Sequence, residues 1–364
     1  MVTSPIVRSL GVYFVDVGQG DATIVLTPDG DAVVFDCRDA HPVLRLLEHW
    51  KVDRLEALIL SHLDIDHIAG AAEVLQAFSD RIGAVYLSID RDISGEGSDA
   101  RSAKDLVDLA RRGDDADSWI LYPSHLTQRP ILEGPGWSIR LVAPKYRTVI
   151  DRERSGHWED VNRCSSVLRI EMGGSAVLVG GDAPLLTWAE MSASDRLAGV
   201  FRVPHHGGAL DDGGIPDGWS AARLYQAVNP DSTAVSVGTN NRHGHPSVDW
   251  LRPAIDGSTC RLMCTQVTPR CADALADAPA DWRKLTVPES HETWKSTHHA
   301  EPPWRHLTKK TGVRRVGKFG EVPCAGTVVV TLRQDGGVRV APLESAHRAV
   351  CALWGQSLCI DKRI

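Results

Sequence analysis

Seven residues, Ser61 to His67 (SHLDIDH), constrain this chain more than any other stretch. Four metal-binding side chains, His62, Asp64, Asp66 and His67, fall within six positions. The preceding LEALIL (55–60) is an apolar run bounded by charge, which predicts a buried strand. The following HIAGAAEVLQAF (67–78) predicts a helix, with Ile68, Ala71, Ala72 and Leu75 near helical spacing. The charged segment therefore sits at the carboxyl end of a strand and ahead of a helix, where open α/β sheets form their sites. Residues two apart on an extended segment point the same way, so His62, Asp64 and Asp66 can converge, and His67 can face a second ion. A loop that only caps the next helix needs one Asp, a role Asp66 also suits. Two imidazoles beside two carboxylates form a transition-metal ligand set.

The same pattern recurs downstream. SAVLVGGD (175–182) is an apolar strand ending in Gly-Asp, and this places the Asp182 carboxylate at a sheet edge. FRVPHHGG (201–208) ends in adjacent His205 and His206, and STAVSVGTNNRHGHPS (232–247) delivers His243 and His245. Four strand ends supplying His or Asp predict one shared site.

The rest of the chain frames that site. Strands are predicted at 11–17, 22–27 and 32–36, a helix at 41–51 and a strand at 82–89. Residues 90–118 read as a polar surface excursion containing a helix over 102–112. The Asp16–Asp21 stretch, DVGQGD, lacks the spacing of a dinucleotide loop and precedes a strand, so it reads as a tight loop near the site. At 364 residues the chain allows one or two domains, and a net charge of −7 argues against a basic surface coating DNA. The opening MVTSPIVRSL does not read as a signal peptide, and no apolar run reaches the length of a membrane span. Eight dispersed cysteines suit a reducing compartment, so the expectation is a cytoplasmic protein without membrane attachment.

In order and content these pieces resemble the metallo-β-lactamase superfamily and, more narrowly, the hydrolase domain of ComEC-type DNA-uptake proteins. The matching stretches are FVDVGQGDA (14–22), SHLDIDHIAG (61–70), NRCSSVLRI (162–170), LVGGDA (178–183), VPHHGG (203–208) and SVGTNNRHGHPS (236–247). The resemblance implies an α/β fold, a four-layer αββα sandwich with an insertion in its C-terminal hairpin. It implies a hydrolase domain over 1–264 and 324–345, an insertion over 265–323 and a tail over 346–364. CRLMCTQ (260–266) and GTVVVTLRQDGGVRVAP (326–342) look like the closing hairpin, pulled apart. Against the usual HxHxDH opening, Asp64 replaces the middle His, and Asn162 lies where a further His is common. An oxygen-richer first site suits manganese as well as zinc. The Asp36-Cys37-Arg38 stretch departs from the family's usual Asp-Thr-Gly.

The resemblance further implies two divalent metal ions. His62 and Asp64 would bind one, Asp66, His67 and His205 the other, and Asp182 would bridge. The reaction implied is phosphodiester hydrolysis by a water that both ions activate. His245 is the candidate for protonating the leaving oxygen and Asn162 for orienting substrate, while His206 and His243 rank as supporting groups. Competing readings are a small substrate (cyclic nucleotide, lactam or thioester) or a catalytically weak metal-stabilised scaffold.

The insertion differs in character. Cys260, Cys264, Cys271 and Cys324 flank or enter it and form a candidate structural zinc site, although ordinary buried cysteines fit equally well. PPWRHLTKKTGVRRVGKFG (302–320) is strongly basic and carries Lys309, Lys310, Arg314 and Arg315 beside aromatics. That composition suits a nucleic-acid backbone, and a solvated loop is its bland alternative. Val350, Leu353, Trp354 and Leu358 give the tail an apolar face for the core or for a partner protein.

Overall fold

A computed structural model describes residues 8–87, 98–124, 130–145, 161–211, 214–238, 241–256, 260–266, 268 and 324–341. The basic run 302–320, Cys271 and the tail lie outside the described residues.

Two sheets stack face to face. The first starts with three antiparallel strands, β1 (Ser9–Phe14), β2 (Ala22–Leu26) and β3 (Ala32–Cys37). It continues in parallel through β4 (Leu55–Ile59), β5 (Ile82–Leu87) and β6 (Ile120–Pro123). The second sheet carries β7 (Pro130–Gly134), β8 (Trp137–Ala143), β9 (Val167–Met172) and β10 (Ser175–Val179) in antiparallel order. From β10 it continues in parallel through β11 (Val200–Arg202), β12 (Ser232–Val235) and β13 (Arg261–Cys264). Finally β14 (Val328–Arg333) and β15 (Val338–Ala341) extend the first sheet beside β1.

Patterning explains the layers. β3 is buried at all six positions, as a strand covered on both faces should be. β8 alternates buried and half-buried residues, with Ile139 and Leu141 turned inward. Between the sheets lie Phe14, Phe35, Ile59, Leu168, Ile170 and Val330. Each such side chain contributes roughly 1.5–3 kcal/mol when fully buried. The outer face of the first sheet is covered by α1 (Ala40–His49), α3 (Ala71–Ala77) and α4 (Ser98–Asp115). The outer face of the second is covered by α5 (Leu185–Glu190), α7 (Ala221–Val228) and α8 (Val248–Asp256), with the short α6 (Ala193–Arg196) beside them. The result is a helix–sheet–sheet–helix sandwich.

Three expectations change. The single helix over 67–78 is two, α2 (Ile65–Ile68) and α3. Gly70 breaks it, because the chain presses against α1 so closely that a Cβ there would lie 2.3 Å from the Ala40 nitrogen. The polar excursion read at 90–118 is not peripheral where it is described, from Ser98 on. α4 buries Ala103, Leu106, Val107 and Ala110 in the core, a narrow stripe hidden among charges. Lastly, 260–266 and 326–342 do not make one hairpin, since β13 edges the second sheet while β14 and β15 pair in the first. They meet only at one end, where Cys324 N–H donates to Thr265 O at 2.9 Å and Ala325 N–H to Cys264 O at 2.9 Å.

Candidate metal centre

The parallel halves of both sheets point their carboxyl ends at one rim. There β3 carries Asp36 next to its last residue, β4 leads into His62, β10 into Asp182, β11 into His205 and His206, and β12 into the loop bearing His245. The Asp16–Asp21 loop joins them, with Asp21 N–H donating to Asp66 O at 2.9 Å and Ser236 Oγ to Gly20 O at 2.7 Å.

Four histidines share one arrangement at this rim. Each has its Nδ1 engaged and turns Nε2 toward carboxylates. His67 Nδ1 lies 2.8 Å from Asp36 Oδ2, and its Nε2 lies 3.2 Å from Asp182 Oδ1. His62 Nδ1 lies 3.0 Å from Ser61 Oγ, and its Nε2 lies 3.6 Å from Asp64 Oδ2 and 3.8 Å from Asp182 Oδ2. His205 Nδ1 meets Ala209 O at 2.6 Å, and its Nε2 lies 4.0 Å from Asp182 Oδ2. His206 Nδ1 meets Ser236 O at 2.9 Å, and its Nε2 lies 3.2 Å from Asp66 Oδ2. An Nδ1 bound to a carboxylate or carbonyl fixes the ring and leaves Nε2 as a lone-pair donor, which is how metal-ligating histidines are held.

Asp182 sits between two groups. Its Oδ1 faces His67 and its Oδ2 faces both His62 and His205. Its own N–H donates to Ser165 Oγ at 2.8 Å. Gly181, at φ 48°, makes that approach possible, because a Cβ there would lie 2.4 Å from Ser165 Oγ. The ligand atoms of His62, His67 and Asp182 lie within 4.8 Å of one another, as do those of Asp66, His67 and His206.

The donor set fits divalent cations. His62 Nε2, His67 Nε2 and Asp182 Oδ1 are buried yet complete no hydrogen bond, and buried polar atoms rarely stay so without a ligand. Electrostatics agree. Burial opposes a charged His67, but Asp182 and Asp36 outweigh it and raise its pKa well above the usual value. Burial opposes ionisation of Asp182 as well, and His67, His206 and His205 instead hold it well below the carboxylate range. Asp66 is likewise depressed, by His206 and His67 against burial. Both His62 and His67 are thus shifted toward holding a proton beside these carboxylates.

The positions departed from expectation in three respects. His206, ranked as supporting, is the histidine that reaches Asp66, while His205 shares the Asp182 oxygen that His62 faces. Both adopt left-handed backbone, at φ 54° and 52°, with Gly207 following at 76°. Asp36, whose stretch had no reading, is fully buried and accepts hydrogen bonds from Ser61 N–H at 2.7 Å and Ser61 Oγ at 2.8 Å besides holding His67. Asp21 was passed over, yet it is buried in ion-pair contact with Arg202 and lies 3.1 Å from His206 Nδ1.

The remaining candidates surround the cluster. Asn162 is the second residue of the turn Val161–Cys164 and its carbonyl accepts Ser165 N–H at 3.0 Å. His245 lies across the mouth, its ring 5.2 Å from that of His205 and 5.5 Å from that of His243. Burial and the neighbouring His205, His206 and His243 pull it down to about 4. Cys264 and Cys324 are buried where the inserted segment leaves and returns, and Cys260 Sγ lies 2.5 Å from Thr233 Oγ1. Among the described residues no two cysteines form a disulfide. Among the described residues no helix is long and apolar enough to cross a membrane.

A family profile matches this chain. The profile of the "Metallo-beta-lactamase superfamily" matches residues 15–209, more than half of the chain. No curated protein matches. Among solved structures, human tRNase Z, short form, is similar at 13% identity and TM-score 0.38, over 63% of this chain and 92% of that one. Zn2+-bound PqqB from Methylobacterium extorquens is similar at 14% and 0.40, over 67% and 85%. CmlA, a diiron beta-hydroxylase from Streptomyces venezuelae, is similar at 15% and 0.42, over 71% and 53%. The superfamily consists mainly of hydrolytic enzymes that bind divalent metals at a His and Asp cluster such as this one. On the profile match and the stacked sheets that bear the cluster, the chain belongs to the metallo-β-lactamase superfamily.

Proposed function

We propose that this protein is a metal-dependent phosphodiesterase acting on nucleic acid, related in its site to the hydrolase domain of ComEC-type proteins. The observation that carries the reading is the convergence of four Nε2 atoms on Asp64, Asp66 and Asp182. It supports two cation sites sharing Asp182. His62, Asp64 and His205 would hold one, and Asp66, His67 and His206 the other. Zinc suits both sets, and manganese suits the carboxylate-rich first set. Bound cations would acidify water and neutralise phosphoryl oxygens.

The chain's own residues supply the rest. Asp36 and Ser236 O hold the His67 and His206 rings, so no reorientation is needed when substrate arrives. His245 faces the mouth and is neutral at pH 7. A bound phosphoryl group would raise its pKa and let it donate a proton to the leaving oxygen. Asn162 is assigned to substrate positioning. Lys309, Lys310, Arg314 and Arg315 are assigned to the nucleic-acid backbone. In support, the segment that carries them departs and returns at the metal rim, where Gln266 Nε2 donates to Asp16 Oδ1 at 2.9 Å. A structural zinc on Cys260, Cys264, Cys271 and Cys324, and a partner docked on the apolar tail, complete the proposal.

The deciding experiment pairs metal analysis with turnover of bis-(p-nitrophenyl) phosphate, single-stranded DNA, RNA and nitrocefin. Two bound ions with cleavage of the phosphodiesters support the reading. Cleavage of nitrocefin alone turns it to a small-substrate hydrolase, and bound metal without turnover turns it to a scaffold.

A further inference from the structure

Behind the cluster lies a charged pair with no part in the chemistry above. Arg202 is the last residue of β11 and is fully buried in the second sheet. Asp21 precedes β2 in the first sheet and is equally hidden. The two side chains form an ion pair across the sandwich. A guanidinium in such a place costs several kcal/mol of lost hydration, which its partner only partly offsets. A fold that needed only packing would place an apolar residue here.

The surroundings of Asp21 show what it touches. Its Oδ1 lies 3.1 Å from His206 Nδ1, and its Oδ2 lies 3.8 Å from His67 Nδ1. Its backbone N–H donates to Asp66 O at 2.9 Å. One residue therefore contacts Asp66, His67 and His206, the three groups assigned to the second cation. No such distance links it to His62, Asp64 or His205 among the described contacts. The three ligands come from opposite sheets, Asp66 and His67 from the first and His206 from the second. Arg202 lies four residues before His206 on the strand that delivers it.

We infer that the Asp21–Arg202 pair is a positioning device for the second cation alone, clasping the two sheets so that His206 meets Asp66 and His67. The Asp21 carboxylate braces the backs of both rings, whose Nδ1 atoms are engaged by Asp36 and Ser236 O, and Arg202 pins it in place. This rests on the two-cation reading, and its test is chosen to separate the two.

The test is metal titration of Asp21→Asn and Arg202→Lys by calorimetry, with Co2+ absorption as a second readout. Wild type is expected to bind two ions. In Asp21→Asn the second should weaken by roughly 10–100-fold while the first is unmoved. Arg202→Lys, which keeps the charge, should retain much of the second site. Because either charge alone in the core can unfold the protein, the double variant Asp21→Asn/Arg202→Met is included. It should fold, yet its second-ion affinity should stay weakened. Wild-type affinity for both ions in a folded Asp21→Asn or double variant would overturn this inference and leave the two-cation reading intact. Equal weakening of both ions would overturn it too. A wild type that binds fewer than two ions would overturn both.

Discussion

His206 Nε2 lies 3.2 Å from Asp66 Oδ2, across 140 residues of sequence and from one sheet to the other. The contact closes the second proposed set of ligands. His206→Ala should therefore resemble Asp66→Ala, with one ion lost per chain and kcat down at least about 100-fold, the scale on which catalytic groups act. His205→Ala should instead weaken the ion beside His62. Metal stoichiometry by mass spectrometry checks both, and a variant His206→Ala that keeps two ions contradicts the assignment.

Asp36 is a second point of test. Asp36→Asn keeps a side chain suited to its φ of 57° but weakens the hold on His67. Metal affinity should fall by roughly 10–100-fold with the fold retained. Asp36→Ala also orphans the buried Ser61 N–H, which adds about 1–3 kcal/mol of destabilisation. Chemical denaturation of the metal-free variants should separate them in that order.

Protons and cations compete for this cluster. In the metal-free protein the raised His67 pKa contributes stability that is full below about 6.5 and lost as pH rises through the folded value. The depressed Asp182 and Asp66 contribute stability present above about 3.8 and lost as pH falls through their folded values. Metal-free protein should thus be most stable between these limits. Cation binding displaces the His protons, so the gain in Tm on metal addition should grow from pH 6 to pH 8.5. A gain that shrinks over that range contradicts the account.

For His245, held near 4, the expected variant effect is catalytic rather than structural. His245→Gln should keep both ions and lower kcat by about 10²–10⁴-fold on substrates with poor leaving groups. The loss should be much smaller on nitrophenyl esters, whose leaving oxygen needs no proton. Equal losses on both would remove the acid role.

Gly181→Ala tests the backbone at the bridge. Its φ of 48° and the nearby Ser165 Oγ and Ser61 Oγ, at 2.4 and 2.7 Å from an added Cβ, leave no room. Destabilisation of about 2–3 kcal/mol is expected, with Asp182 displaced and both ions weakened.

How much of this was legible in the sequence depended on distance along the chain. His62, Asp64, Asp66 and His67 declared themselves because all four sit in one segment, and the apolar runs on either side fixed its place at a strand end. The choice between His205 and His206 was not legible. Alternation lets only one of two neighbours face a site, whereas the left-handed backbone of both residues brings both rings to it. Asp36 was invisible for another reason, since its partner His67 is 31 residues away and nothing local marks the pairing. Asp21 read only as part of a tight loop near the site and Arg202 only as part of the run before His205, because they pair across opposite sheets, 181 residues apart in sequence. The four-layer fold was legible through the resemblance to the metallo-β-lactamase superfamily, and a helix over 102–112 was legible within α4, but its burial was not, because its apolar stripe is built from alanines as much as from leucine and valine.

The paired hydrogen bonds from Cys324 and Ala325 to Thr265 and Cys264 give the molecule a socket. Chain departs from one side of it and re-enters on the other a few ångströms away, so both sheets are stitched shut whatever is mounted between. A short turn spliced between Gln266 and Cys324 would leave the sandwich whole.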